Sequence, residues 1–318
     1  MRHTMDLAAV REAEKAVHAL LTPTPLFRHP DLNAQLGRSV WLKLELFQPT
    51  GSFKPRGVLN WLARASTEQL SGGLVTVTAG NHGAALAWGA REYDTPVTAV
   101  MPEGSSPLKM AACREHGARV LTQPDIGRAI EHMQRLHRDE GLTVVHPYDD
   151  PAIIAGQGSM ALELLAQGPT PDLVVCPVGG GGLISGLGIV LQACTPRTRL
   201  IGVEPEGAPT LSEAWRYGQP RALTGINTLA LSLAAGIAGE YTLALSRQVV
   251  DSLVTVTDAE IRQAQRLVMT RARLYAEPGA VVAIAALQSG RIEVNPQERV
   301  VCIVTGGNLD PEMVSAVV

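Results

Sequence analysis

No stretch of this 318-residue chain concentrates charge of one sign: 27 lysines and arginines stand against 30 aspartates and glutamates, for a net charge of −3. A nucleic-acid groove or an anionic membrane surface calls for a basic patch, so neither partner has electrostatic support. No apolar run approaches the roughly 20 residues that cross a bilayer as a helix. The charged, amphipathic start, residues 1–20, lacks the apolar core of a signal peptide. The four cysteines, Cys113, Cys176, Cys194 and Cys302, show no CxxC spacing, and Cys176 and Cys302 sit inside apolar runs. Reduced, mostly buried thiols in a cytoplasmic protein are the expectation. Internal repeats, low-complexity tracts and obvious flexible linkers are also missing.

What is present is apolar and alternating. Hydrophobic residues make up 46% of the chain, enough for a large core in roughly two lobes of about 100–200 residues each. Short β-rich runs at Val40–Glu45, Leu74–Thr78, Val97–Met101, Thr143–His146, Asp172–Val178, Leu200–Glu204 and Val300–Thr305 read as strands. Between them, Gly83–Tyr93, Ile126–Asp139, Ile153–Leu165 and Asp258–Leu274 carry apolar residues at helical spacing. The alternation predicts an α/β architecture with mostly parallel sheets. Ligands in such sheets bind beyond the carboxyl ends of strands, so chemistry-bearing residues are sought there.

Four strand ends stand out. After the first strand comes Gly51-Ser52-Phe53-Lys54-Pro55. Gly51 allows a tight turn, Ser52 is placed to cap, and Pro55 suits a first helical turn. A lysine near the positive end of a helix is biased toward the neutral amine, although on spacing alone Lys54 reads first as a surface lysine. After the second, Thr78-Ala79-Gly80-Asn81-His82-Gly83 enters an alanine-rich helix. It is either an ordinary turn capped by Asn81 or a cradle of backbone amides for an anion. The run Leu173–Val178 leads into Gly179-Gly180-Gly181-Gly182-Leu183. Four glycines in succession let the backbone fold into a nest of N–H donors suited to a phosphate dianion. A dinucleotide fingerprint and a phosphate loop of the Gly-Lys-Ser/Thr type both fail on spacing. The fourth end is Thr305-Gly306-Gly307-Asn308, where Thr305 by itself is a turn residue.

Taken together and in this order, these elements resemble the fold-type II pyridoxal-phosphate enzymes, the tryptophan-synthase-β-like superfamily. The nearest likeness is to the serine/threonine dehydratases (ammonia-lyases) and serine racemases. The likeness runs from Thr22-Pro23-Thr24-Pro25-Leu26, through Ile154-Ala155-Gly156-Gln157-Gly158-Ser159 and Glu277-Pro278, to Asn308. It implies a two-lobed, three-layer αβα fold. Residues 1–48 and 149–318 would form the large cofactor-binding lobe, and 49–148 the small lobe that receives the substrate carboxylate.

The resemblance also implies roles. Lys54 forms the Schiff-base link to pyridoxal 5'-phosphate, and Phe53 packs on the cofactor ring. Asn81 bonds the phenolic oxygen. Thr78, Ala79, Gly80, Asn81 and His82 hold the substrate carboxylate, with His82 orienting rather than acting as base. Gly179, Gly180, Gly181, Gly182 and Leu183 hold the phosphate, and Thr305 faces the pyridine nitrogen. A neutral hydroxyl there leaves the nitrogen largely unprotonated, which favours expulsion of a β-leaving group over transamination. The implied reaction is dehydration of a small hydroxy-amino acid such as L-serine or L-threonine to a 2-oxo acid and ammonia. Lys54 removes the α-proton, and the cofactor phosphate protonates the departing hydroxyl. A homodimer is the implied assembly.

Departures narrow the choice. Serine racemases place a serine where this chain has Ala79, and a methyl group cannot deliver a proton. The glycine-threonine phosphate loop of the O-acetylserine sulfhydrylases is absent. The chain ends about ten residues past Asn308, so isoleucine feedback through a C-terminal regulatory domain is not expected. Many relatives bind a divalent cation through a glutamate, a backbone carbonyl and an aspartate. Here Glu204 and Ala208 are followed by Thr210, so no metal is expected. Relatives also carry Ala-Asp-Gly where this chain has Ala234-Ala235-Gly236, which keeps unusual substrates open, a 3-hydroxyaspartate or an aryl-serine among them. A racemase and a non-catalytic cofactor-carrying regulator are the remaining alternatives.

Overall fold

A computed structural model describes residues 5–315. Ten strands form two sheets: β1 (Leu26–Phe27), β2 (Val40–Leu44), β3 (Leu74–Val77), β4 (Val97–Pro102), β5 (Arg119–Gln123), β6 (Thr143–Val144), β7 (Leu173–Pro177), β8 (Arg199–Pro205), β9 (Ser252–Val256) and β10 (Val300–Val304). The larger sheet has the order β1-β2-β10-β7-β8-β9 and the smaller β5-β4-β3-β6. Every pairing is parallel except β1 with β2. All seven sequence-derived strands are present, within a few residues at their ends. The short β1 and the half-polar β5 and β9 are additional. They are edge strands of the two sheets, and an edge strand needs no continuous apolar run.

Parallel sheets bury both faces, and β10 shows how. Val300, Cys302 and Val304 point into one core with the helices Asp258–Leu267 and Val282–Gln288. Val301 and Ile303 point into the other with the helices Pro151–Gln167 and Gly182–Cys194. The strand therefore reads as unbroken apolar sequence, not as an alternation. The smaller sheet repeats the pattern: Leu74 and Val97 face the helix Asn81–Ala90, while Val75 and Val100 face Ile126–Glu140. The periodic run Asp258–Leu274 breaks sooner than the sequence suggests. Its helix ends at Leu267, a π-helical turn follows over Val268–Ala272, and Arg273 closes it in the left-handed region.

The helix Pro55–Arg64, which follows Lys54, packs on Pro151–Gln167 so closely that a side chain at Gly156 would collide with the Arg56 carbonyl. This accounts for Gly156, one of the two glycines in Ile154–Ser159. Beside that crossing lies a buried charge cluster. The Arg56 guanidinium pairs with both oxygens of Glu45, each at 2.8 Å, and with Glu163 at 2.7 Å; Lys43 also bonds Glu163. Thr24 donates to Glu45 at 2.6 Å. Burial works to raise the Glu45 carboxyl, but Arg56, with Lys43 and Thr24, outweighs it and holds the group below its ordinary value. The cluster clamps the helix that follows Lys54 to β2 and to Pro151–Gln167. A buried ion with one partner deleted costs about 3–5 kcal/mol. Glu163→Gln, which strips charge from both Arg56 and Lys43, is therefore expected to lower apo-protein stability by roughly that amount in urea titration, whereas Lys15→Gln at the exposed Glu12 pair leaves the midpoint in place.

Candidate active site

All thirteen residues singled out for cofactor or substrate line one cavity of about 840 Å³ between the two sheets. Each segment leaves the carboxyl end of a strand, the edge at which open α/β sheets bind ligands.

The lysine segment is pinned by main chain. Phe53 N–H donates to Thr305 O at 3.1 Å and Gly307 N–H to Gly51 O at 2.9 Å, with Ser52 and Gly306 bridged antiparallel. Ser52 is thus used in pairing and does not cap the helix; Lys54 occupies the N-cap position, with no side-chain cap, ahead of Pro55. Lys54 Nζ donates to Pro147 O at 2.9 Å and lies 5.1 Å from the Phe53 ring centre. Burial lowers its pKa to about 8, against a smaller opposing pull from Glu277. Burial, more than the helix end, makes the amine available in neutral form.

In the asparagine turn Asn81 is not the cap; the Thr78 side chain closes the turn. The Thr78 hydroxyl accepts from Gly80 N–H at 2.9 Å, and Gly80, at φ +139°, precedes the helix as its N-cap. A side chain at Gly80 would strike Lys109. The first helical turn leaves the amides of Asn81 and His82 without intrahelical acceptors, available to an anion. Asn81 spends one N–H on Glu277 (2.8 Å) and accepts from Asn308 (2.9 Å); its second N–H remains. His82 is buried, its Nε2 3.3 Å from Val145 O, and burial together with Lys54 holds its pKa well below the ordinary value. A neutral ring fixed to the backbone suits orientation better than proton transfer.

Gly181 is the N-cap of the helix Gly182–Cys194, and the first i→i−4 bond is Ser185 N–H to Gly181 O at 3.1 Å. The amides of Gly182, Leu183 and Ile184 thus lack intrahelical acceptors. The Tyr148 ring lies against the loop so closely that a side chain at Gly180 would run into it. This glycine cradle and an amine of lowered pKa are what a phosphate-bearing aldehyde requires, so the residues present fit pyridoxal phosphate. The turn His146–Asp149 was not read as functional from sequence. It supplies the Pro147 carbonyl to Lys54 and the Tyr148 ring to the loop, and is held by His146 Nδ1 accepting from Asp149 N–H at 2.8 Å. Its signal was its place after β6.

A polar chain crosses the cavity. Lys109 bonds Glu277 at 2.6 Å, Glu277 bonds Asn81, Asn81 bonds Asn308, and Asn308 donates to Thr50 O at 2.9 Å. Glu277 is 2% exposed, with its charge compensated by Lys109. Sequence reasoning left Glu277 without a role and passed over Lys109, whose partner lies 168 positions away. Thr305 is buried just past the end of β10 and lines the cavity.

At the cation position of relatives, Glu204 accepts from the amides of Leu211 (2.6 Å) and Ser212 (2.9 Å) and from the Ser212 hydroxyl. Burial pushes its pKa up to about 7. Thr210 Oγ1 donates to Ala235 O at 2.5 Å. The oxygens here are engaged within the protein.

The comparisons agree with this geometry. The family described as "Pyridoxal-phosphate dependent enzyme" matches residues 17–306, and the chain belongs to it. Among its curated relatives, the L-threonine ammonia-lyase of Thermotoga maritima is 34% identical over 99% of this chain and 78% of the relative. The phenylserine dehydratase of Ralstonia pickettii is 33% identical over 96% and 94%. Among solved structures, maize serine racemase superposes with a TM-score of 0.92 at 29% identity, covering 99% of this chain and 97% of the other. The fold is that of the fold-type II enzymes, as expected.

Two outcomes test the site. Gly180→Val is expected to leave the purified protein with a small fraction of the wild-type cofactor after dialysis, read by absorbance. Below pH 8 the Lys54 amine is increasingly protonated and cannot attack an aldehyde. The rate at which apo-protein takes up pyridoxal phosphate should therefore fall roughly tenfold per pH unit below about 8 and flatten above it. A rise continuing to pH 10 would mean an ordinary exposed lysine.

Proposed function

We propose that this enzyme eliminates water from a 3-hydroxy amino acid and releases a 2-oxo acid and ammonia, an ammonia-lyase reaction of the threonine/serine type. The observation that carries the reading is one cavity that joins a lysine amine whose pKa is lowered to about 8 to two helix starts rich in free amides. Among the described residues it contains no second unpaired amine, because Lys109 is bound to Glu277.

In this reading Phe53 and Lys54 hold the cofactor from one side, with Asn81 and Thr305 at its edges and the Gly179–Leu183 nest at its phosphate. When bound, the cofactor supplies an aldehyde that captures the substrate amine and a conjugated ring that draws electron density from the α-carbon. The Thr78–His82 turn holds the substrate carboxylate with its amides. Lys54 Nζ takes the α-proton. The β-hydroxyl departs as water, and that water is regained on hydrolysis, so the net change is loss of ammonia. Thr305 meets the ring with a neutral hydroxyl, and the one buried carboxylate nearby, Glu277, is committed to Lys109. Ala79 presents a methyl group where racemisation requires an acid on the second face.

The division into residues 1–48 with 149–318 and residues 49–148 belongs to the same proposal. It is supported by the two sheets, whose strands fall on either side of it. A cytoplasmic homodimer with no nucleic-acid or membrane partner completes the reading. Buried, unpaired Cys113, Cys176 and Cys302 support the compartment, and among the described residues no helix is long and apolar enough to cross a membrane. The dimer rests on the family resemblance alone.

The test is chiral analysis of the reaction with L-threonine and L-serine. A missing general acid removes on the order of 10²–10⁴-fold in rate, so 2-oxo acid is expected to accumulate at least ~100-fold faster than the D-amino acid. Comparable rates would make the protein a racemase. Ala79→Ser is expected to raise the racemised share.

A further inference from the structure

Once Lys54, the Thr78–His82 turn and the glycine nest are assigned, the wall left over is apolar. Ile126 and Ile130 stand one turn apart on the helix Ile126–Glu140. The same cavity is lined by Ile226, Leu231 and Ile237 from the 222–237 loop and by Met313. These six are each 37–49% exposed. They are half of the twelve large apolar side chains that stand exposed among the described residues, gathered on one cavity. Such a concentration marks an apolar binding surface, since exposed apolar side chains otherwise scatter singly.

The charges point the same way. Among the described residues the cavity is lined by no arginine. Its lysines are Lys54, committed to the chemistry, and Lys109, paired with Glu277. The remaining charged side chains on the wall are acids, Glu103 and Asp310. A second substrate carboxylate would thus find no cation and two like charges, which disfavours a 3-hydroxyaspartate. The loop itself is held by Thr210 through the Ala235 carbonyl, and Ala235 presents a methyl group, not a carboxylate. The cavity of about 840 Å³ takes in both the cofactor residues and this apolar wall. A threonine side chain would leave this wall wet.

We infer that the preferred substrate is a 3-hydroxy amino acid whose β-carbon bears a bulky apolar group, aryl or branched alkyl, received by these six side chains. The inference rests on the elimination reading above and refines it. The holoenzyme is assayed for 2-oxo acid with L-threo-3-phenylserine, L-threonine and L-threo-3-hydroxyaspartate. Burial of an apolar ring is expected to raise kcat/KM for phenylserine ~10–100-fold above threonine, with hydroxyaspartate lowest. In the double variant Ile130→Asn, Ile226→Asn, with cofactor absorbance confirming an intact holoenzyme, the phenylserine-to-threonine ratio should fall about tenfold. Threonine or hydroxyaspartate preferred over phenylserine, or an unchanged ratio in the variant, overturns the substrate class and leaves the elimination reading standing. No 2-oxo acid from any of the three overturns the elimination reading, and this inference with it.

Discussion

Main-chain pairing between Gly51–Phe53 and Thr305–Gly307 is the constraint on which the site depends. Lysine side chains are long and mobile, and Schiff-base chemistry needs the amine at one place and without its proton. Neither property is local. The hydrogen bonds from Phe53 to Thr305 and from Gly307 to Gly51 tie the start of the lysine-bearing helix to the end of the central strand β10. The Arg56–Glu45–Glu163 cluster then clamps the far side of the same helix start. Lys54 is left with little freedom beyond its own rotamers, in surroundings that burial has made dry enough to lower its pKa.

The same economy extends to the carboxylates. Four buried acids lie in or near the site, and each is compensated, Glu45 by Arg56. Glu163 is shared by Arg56 and Lys43, Glu277 by Lys109 and Asn81, and Glu204 by the amides of a helix start. The cavity consequently presents few uncompensated charges beyond those its chemistry uses. An apolar outer wall is compatible with that arrangement, because low polarity around Lys54 favours the neutral amine.

Much of the fold was legible because parallel strands buried on both faces must be continuously apolar. β2, β3, β4, β7, β8 and β10 announce themselves in that way. The edge strands β5 and β9 carry polar residues, and the short β1 is set by pairing with β2, so their formation depends on a neighbour. The site's backbone elements were legible for a related reason. Four consecutive glycines, or a turn that enters an alanine-rich helix, restrict what a chain can do over a few residues. Lys109, Asn308 and the His146–Asp149 turn were not legible, since their importance lies in partners far along the chain.

The sequence by itself determined the class of fold and the two amide-rich helix starts, because each follows from the residue types permitted over a short stretch; Lys54, which on spacing alone reads as a surface lysine, stood out only through the company of those elements. Only the tertiary structure decided that Ser52 pairs and does not cap, that Thr78 and not Asn81 closes its turn, and that Glu277 is balanced by Lys109. It also decided that isoleucines from helix Ile126–Glu140 and from the 222–237 loop share one mouth. The physical reason is common to all of these. Burial and charge compensation are properties of neighbours in space, and residues 168 positions apart, as Lys109 and Glu277 are, become neighbours only when the sheets have formed.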